Sequence, residues 1–469
     1  MTDLGTEARP LRVAVVGSGP SAFYAIEHLQ RQPLAIDVDC FDRLPTPFGL
    51  VRGGVAPDHQ KIKSVTRVYE RLAGHPRFRF LGHVTVGRDL GVAELARHYD
   101  AVIWAVGAQA DRALGVPGEE LPGSHAATEF VGWYNGHPDY RDLTFDLGQD
   151  SVAVVGVGNV AMDVTRVLAK TPDELAGTDI ATHALEALRR SRVRTIHLLG
   201  RRGPAQAAFT TPEIKELGEL ADADVIVDPA ELVLDPHTEA LLAAAEDRTA
   251  EKNLEVLREF AARRPSGKSR RIVIRFCVSP LALEGHASVE RVRLGRNRLV
   301  PAGTDVKAEP AGEAGTIPAG LVFRSVGYRG VAVPGVPFDE RRGTIPHEGG
   351  RVLAAPGGAR LAGHYCVGWI KRGPSGVIGT NKPDAVESAE ALLADLRAGA
   401  LPAAPERDPA AIPALLADRG VRVVGWADWK ALDAIEQERG RAQGRPREKF
   451  TRIGEMLAAL GDGAGARAD

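Results

Sequence analysis

One pattern, occurring twice, constrains this chain more than any other: an apolar β-branched run that ends in glycine and opens directly into a helix. Residues 11–29 read LRVAVVGSGPSAFYAIEHL and residues 151–168 read SVAVVGVGNVAMDVTRVL. The valine-rich runs suit strands buried on both faces, and the apolar periodicity after them suits helices. The spacing repeats as well: Gly17, Gly19 and the small Ala22 in the first copy, Gly156, Gly158 and Ala161 in the second. In such a loop the first glycine permits the tight turn and the second lets backbone approach a pyrophosphate. The small third residue allows close helix–strand packing, and the helix N-terminus faces the phosphate charge. One copy is compatible with a tight turn in any α/β protein. Two copies, each between a strand and a helix, predict an α/β chain with two nested Rossmann-like dinucleotide-binding domains.

The copies differ where a nucleotide is discriminated. The first is followed by DVDCFDRL, a strand-like run ending in Asp42, 25 residues past Gly17. An acid at that strand end accepts hydrogen bonds from ribose hydroxyls, as FAD or NAD requires. The second is followed by VRTIHLLGRRGP, which ends in Arg201 and Arg202 with no acid. Paired guanidiniums there suit a 2′-phosphate, which favours NADPH over NADH.

Length and composition set outer bounds. At 469 residues two or three domains are expected, and a net charge of −2 points to neither nucleic acid nor an anionic membrane surface. No apolar run approaches the length of a membrane span, and the N-terminus lacks a basic-then-apolar signal pattern. Cys40, Cys277 and Cys366 are too far apart for a CxxC pair or an iron–sulfur set, and no metal-ligand spacing is evident, so no metal is expected. The expected location is cytoplasmic.

Two further segments carry chemistry. PTPFGLVRGGVAPDHQKIKSV, residues 45–65, holds enough glycine and proline to predict an ordered loop without regular structure, placed to line a cofactor. GHYCVGWIKRGPSGVIGTNKPDA, residues 363–385, reads as a short strand, a glycine-rich turn and a helix start at Asn381 and Pro383. A helix N-terminus aimed at a flavin would stabilise its reduced, anionic form.

Six stretches together, GSGPSAFYA, FDRLPTPFGLVRGGVAPDHQKIKSV, AVGAQADRALGVPGE, VVGVGNVAMDVTR, GRRGPAQAAFT and VGWIKRGPSGVIGTNKPDA, resemble ferredoxin–NADP reductases of adrenodoxin-reductase type, the actinobacterial members most of all. The resemblance runs from about residue 11 to about residue 385. It implies an FAD domain in two segments, residues 1–107 and 329–469, around an NADP domain at 108–328. It further implies FAD contacts at Ala22, Asp42, Leu50, Val86 and Arg112. The NADP pyrophosphate would lie on Val157, Gly158, Asn159 and Val160, its 2′-phosphate on Arg201 and Arg202, and the nicotinamide nucleotide near Glu213. Trp369 would lie against the flavin, and Gly376, Val377 and Ile378 between flavin and nicotinamide. The implied activity is hydride transfer from NADPH to FAD, then single-electron transfer to a ferredoxin-type iron–sulfur protein.

Two alternatives stay open at this level: an NADPH diaphorase or quinone reductase of the same fold, and a non-catalytic FAD-binding redox module. A flavin monooxygenase is disfavoured, because no motif announces oxygen handling. One pairing follows from position. Glu213 and Glu216 share a helix face, and closure of the domains would let His59 pair with Glu216 beside the nicotinamide, to position it or handle protons. The basic run 263–275 is expected to be a solvated face able to steer an acidic partner. The tail beyond residue 402 is expected to pack on the FAD domain.

Overall fold

The computed structural model describes residues 3–461. The first valine-rich run is the strand Leu11–Val16, buried along its whole length. It pairs in parallel with Ile36–Asp42 on one side and Ala101–Trp104 on the other. Phe78–Gly82 and Arg360–Cys366 extend the parallel sheet outward, and two short antiparallel strands, Arg351–Leu353 and His347–Glu348, bring it to seven. Alternation along the central strand explains why both of its faces are apolar. Val13 and Val15 pack among residues of the helices Pro20–Gln30 and Asn381–Arg397, whereas Ala14 and Val16 pack with Leu95, Ile412 and Leu416.

The second run, Ser151–Val155, is the equivalent strand of a six-stranded parallel sheet. Its neighbours are Leu321–Arg324 and Thr195–Leu199, with Ser124–Ala126, Arg270–Arg275 and Ala223–Val227 outside them. Val152 and Val154 face a helical layer that includes Met162 and Leu168. Ala153 and Val155 face a three-stranded antiparallel sheet made of Val278–Glu284, Arg291–Ala302 and Asp305–Pro318.

The first sheet draws its strands from residues 11–104 and 347–366, and the second lies wholly within 124–324. One dinucleotide-type unit is therefore inserted into the other. The two chain crossings run together, Ala110–Asp111 pairing antiparallel with Tyr328–Arg329. In each sheet the glycine loop leaves the carboxyl end of the central strand, where the chain turns to neighbours on opposite sides. That is the crevice where open α/β sheets bind ligands.

Some local expectations change. The segment 45–65 contains two helical turns, Leu50–Gly53 and Gln60–Lys63, instead of no regular structure. The basic run is partly interior. Arg270–Arg275 is a sheet strand, with Arg270 on Asp222 at 3.2 Å and Arg275 on Glu231 at 2.6 Å, so cations of the run serve the domain's own packing. Strands Arg291–Ala302 and Asp305–Pro318 form a long antiparallel hairpin. Among the described residues no helix is long and apolar enough to cross a membrane.

The tail does more than cover the first unit. Its helix Trp426–Arg441 buries Trp429 and Leu432 in the first core, and Glu436 receives Arg52 at 2.5 and 2.8 Å. The chain then reaches the inserted unit. Asp179 sits between Lys63 of the first unit, at 2.6 Å, and Lys449 of the tail, at 3.1 Å. Burial pushes the Lys449 ammonium down to about 7, although Asp179 pulls the other way. Asp179→Asn takes the counter-ion from two buried lysines and drives Lys449 towards its neutral amine. It should cost about 3–5 kcal/mol, seen as a lowered thermal midpoint. Arg452→Ala, which removes only an exposed pair with Asp142, should leave the midpoint unchanged. Equal midpoints for both variants would contradict the clasp.

Candidate functional site

Both glycine loops have the shape that a pyrophosphate needs. Gly17 has φ +102°, and a Cβ there would lie 2.4 Å from the carbonyl oxygen of Ala105; Gly156 has φ +131°, with Ser325 O at 2.1 Å. Neither position admits a side chain. Two residues on, Gly19 and Gly158 face open space, with nothing within 4 Å of a Cβ. Each of these glycines caps an 11-residue helix that has no side-chain cap and no acid in its first turn. Both helices thus present unpaired backbone N–H groups and the positive end of the helix dipole to an open cradle, so two dinucleotide phosphates fit. Ala22 and Ala161 are fully buried at the helix–strand contact. In the second loop Val157 O accepts from Ala208 N at 2.9 Å and Asn159 Oδ1 from Thr210 N at 2.8 Å. These bonds tie the Val157–Val160 turn to the segment that carries Glu213.

A continuous rim surrounds the first loop. Asp42 braces it, its carboxylate accepting from Ser18 Oγ at 2.5 Å, Ser18 N at 3.1 Å and Leu44 N at 2.9 Å. Burial raises the Asp42 carboxyl, against the pull of these donors. The backbone at Gly49 comes so close to Gly19 that a Cβ would stand 3.0 Å from its Cα, and Leu50 beside it is exposed. Gly368 packs on Ser21, and the next residue, Trp369, stacks on Tyr328 with ring centroids 5.5 Å apart. Trp369 Nε1 donates to Ser375 O at 3.2 Å, and Arg112 Nε donates to Tyr328 O at 3.2 Å. Gly376 and Val377 are exposed and Ile378 half-buried, just ahead of the uncapped helix Asn381–Arg397. Val86 differs from these, being buried and bridged to Leu90.

The two units meet at a charged cluster. His59, at the start of the turn Gln60–Lys63, donates from Nε2 to Glu216 Oε2 at 2.9 Å, and its Nδ1 faces Glu213 at 3.7 Å and Asp163 at 3.9 Å. The helix Thr211–Leu217 carries both glutamates, so the shared face expected from their spacing is present. Arg166 stands behind them. It holds Asp58 at 2.8 Å, Asp163 at 2.7 Å and Glu213 at 2.8 Å, and Glu216 lies at 3.3 Å. Lys170 adds a second cation on Asp58 at 2.8 Å.

The protonation of this cluster is set by its surroundings. Burial alone would lower the His59 imidazole, but the bond to Glu216 and the charges of Glu213 and Asp163 outweigh it and raise the pKa. Burial also raises Glu213, helped by Asp163, to about 7. Glu216, bonded to His59 and near Arg166, is held below the ordinary carboxylate range despite its own burial. Near neutrality the His59–Glu216 pair is favoured in its charged form, and Glu213, at about 7, holds its proton only in part. Asp163, buried beside it, is raised as well, so that proton belongs to the two acids together.

Sequence spacing revealed no metal-ligand set, yet the fold brings ligand atoms of His59, Glu213 and Glu216 within 4.8 Å of one another. Arg166 and the imidazole already use those carboxylates, so the group reads as an ion-pair network. Arg166, Asp58, Asp163 and Lys170 escaped the sequence reading. The available signal was an Asp and an Arg three apart inside the otherwise apolar run NVAMDVTRVLA.

At the end of the strand Thr195–Leu199, Arg201 is exposed and Arg202 half-buried. Arg202 Nη1 reaches Asp305 Oδ2 at 2.9 Å, and Arg201 has no side-chain partner among the described residues.

The fold and site define an oxidoreductase with two dinucleotide-binding units, one nested in the other. The model of the pyridine nucleotide-disulphide oxidoreductase family matches residues 11–259, and the chain belongs to that family. All three of its cysteines are free, and Cys40 and Cys366 are buried. Mycobacterium tuberculosis NADPH-ferredoxin reductase FprA is 49% identical over 459 residues, covering 96% of this chain and 99% of the relative. Human mitochondrial NADPH:adrenodoxin oxidoreductase is 44% identical, covering 97% and 93%. The solved structure of M. tuberculosis FprA in complex with NADPH superposes with a TM-score of 0.90 at 48% identity, covering 96% of this chain and all of that one.

A proton on Glu213 has a consequence for stability. With a folded pKa of about 7 against an ordinary 4.5, the folded state keeps a proton that the unfolded state releases between those values. Stability relative to Glu213→Gln should therefore decline as pH rises from about 4.5 to about 7, then level off. Thermal midpoints of the two flavin-loaded proteins across that range measure it, and a difference independent of pH would exclude the proton.

Proposed function

We propose that this chain is an NADPH-dependent ferredoxin reductase, taking hydride from NADPH at one dinucleotide cradle and delivering single electrons from the other to a ferredoxin-type iron–sulfur protein. The observation that carries the reading is the inequality of the two cradles. Asp42 braces one loop, the strand beside the other runs into Arg201 and Arg202, and the His59 cluster spans the two units. Similarity over nearly full length to an NADPH-ferredoxin reductase supports the same reading. FAD, when bound, supplies the conversion between a two-electron donor and one-electron acceptors.

The residues divide the work. Gly17, Gly19 and Ala22 seat the FAD pyrophosphate, and Asp42, Leu50, Val86 and Arg112 line the rest of its site. Gly156, Gly158 and Ala161, with the Val157–Val160 turn, seat the NADP pyrophosphate, and Arg201 and Arg202 take its 2′-phosphate. Trp369 and residues Gly376 to Ile378 close the junction of flavin and nicotinamide and exclude water there. His59 and Glu216 hold the inserted unit against the flavin-side loop, which fixes the approach of the nicotinamide; Glu213 and Asp163 share a proton beside it. The domain limits that accompany this reading are 1–107, 108–328 and 329–469. Three free thiols suit a reducing compartment, which for this chain we take to be the cytoplasm.

The purified protein should carry a flavin spectrum that NADPH bleaches faster than NADH, and then reduce ferredoxin. A colourless protein, or one that turns over quinones while leaving ferredoxin oxidised, would overturn the assignment. Replacing Arg201 and Arg202 together with alanine should lower kcat/KM for NADPH roughly 10²- to 10⁴-fold, since charge-assisted bonds are worth about 1.5–3 kcal/mol each, with little effect on NADH. His59→Gln should slow flavin reduction by roughly two- to tenfold, the value of one hydrogen bond. Unchanged stopped-flow traces would remove His59 from the site.

A further inference from the structure

The hairpin of strands Arg291–Ala302 and Asp305–Pro318 reaches from the outer sheet of the inserted unit to the arginine turn, and touches it at several levels. Asn297 Nδ2 donates to Arg201 O at 2.9 Å and to Ser279 Oγ at 2.8 Å. Its backbone N–H donates to Cys277 O at 2.7 Å, and Cys277 N donates to Arg202 O at 3.0 Å. Cys277 adopts φ +53°, a left-handed conformation uncommon for a non-glycine residue. That strain is held by the two bonds, and it lets the strand end and the hairpin clasp the carbonyls of both arginines. Leu299 closes on Gly203, where a Cβ would meet Leu299 Cδ1 at 3.0 Å. At the hairpin's tight turn, where Ala302 pairs with Asp305, the Asp305 carboxylate takes Arg202.

We infer that this hairpin is a wall of the 2′-phosphate site, with Asp305 as the counter-ion that the phosphate displaces from Arg202 and Asn297 as the residue that positions the arginine turn. The inference rests on the assignment of Arg202 to the 2′-phosphate. Its physical basis is an exchange of anions at one guanidinium. A phosphate monoester carries more charge than a carboxylate and offers three acceptor oxygens, so it wins the exchange. A nucleotide with a bare ribose hydroxyl brings no charge to that point and leaves the Arg202–Asp305 pair in place. The pair is part-exposed, with Arg202 at 35% and Asp305 at 64% side-chain accessibility, so the competition is mild and reversible. Asp305 therefore limits how tightly the oxidised product is retained, and offers Arg202 a partner when it leaves.

The test titrates NADP+ and NAD+ into the FAD-loaded protein and measures the perturbation of flavin absorbance. Asp305→Asn should tighten NADP+ roughly two- to fivefold, the worth of one part-exposed ion pair, and change NAD+ far less. The effect should vanish in an Arg202→Ala background. Glu309→Gln removes the same charge from the same hairpin, where it faces Arg298 at 3.3 Å, and should leave NADP+ binding unchanged. Asn297→Ala should raise KM for NADPH severalfold with kcat retained. Unchanged or weaker NADP+ binding in Asp305→Asn, or an equal effect from Glu309→Gln, would overturn the inference while Arg202→Ala still lost NADP+ preference. If Arg202→Ala kept that preference, the assignment beneath it would fall instead.

Discussion

The larger of the two buried charge clusters that join the halves of this molecule is built on one guanidinium. Arg166 is 1% exposed on the second glycine-loop helix, and its hydrogen bonds reach Asp58 from the other unit as well as Asp163 and Glu213 from its own. Dehydrating an arginine is expensive, and only carboxylates in good geometry repay it. The cluster thus adds little net stability, but it specifies one arrangement. Any other placement of the inserted unit would take Asp58 away from Arg166 and Lys170, and His59 away from Glu216. The same cluster places His59 on Glu216, so the feature that joins the units also orders the flavin-side loop against the helix Thr211–Leu217.

Asp179 repeats this device elsewhere between the units, with the charges reversed. There an acid is held between Lys63 and Lys449, and the tail supplies one of the two cations. Two buried junctions fix orientation where one would leave a pivot. The paired crossings at Ala110–Asp111 and Tyr328–Arg329 are short and half-exposed, so they connect the units without stiffening the angle between them.

The range of the forces involved decided which features were legible in the sequence. The two strand–glycine–helix units were legible because the turn, the phosphate cradle and the helix packing are all set within a single short stretch of chain. Glu213 and Glu216 were placed on one face by helical periodicity, and His59 was joined to Glu216 by the expectation of closed domains. Arg166, Asp163 and Asp58 were not legible as a group, since their meeting is a property of how two sheets dock. The basic run 263–275 was legible only in part: residues 263–267 are exposed as expected. Its strand, Arg270–Arg275, was not legible for a related reason. Alternate residues of a strand point to opposite sides, and Asp222 and Glu231, which receive Arg270 and Arg275, lie far off in the chain on other elements. The tail's second contact was hidden because a lone Lys449 reads as surface until Asp179 is seen beside it.

Direction of electron flow is a matter of charge placement at three scales. Within a few ångströms, the roles proposed for Asp42 and the arginine pair would sort the two nucleotides by the group that each ribose carries. At the scale of the cluster, the raised His59 and Glu213 both favour protonation, which offsets the negative charge of the four acids gathered there. At the scale of the inserted domain, the hairpin supplies Asp305 as an internal anion, so Arg202 is not left as a bare guanidinium. A strong, uncompensated cation at that position would hold the oxidised nucleotide as firmly as the reduced one, because both carry the same 2′-phosphate. Affinity at the phosphate binds both forms alike and cannot drive turnover. Pairing with Asp305 lets Arg202 add recognition with less retention than Arg201, unpaired among the described residues, which suits a site that must release its product after each hydride.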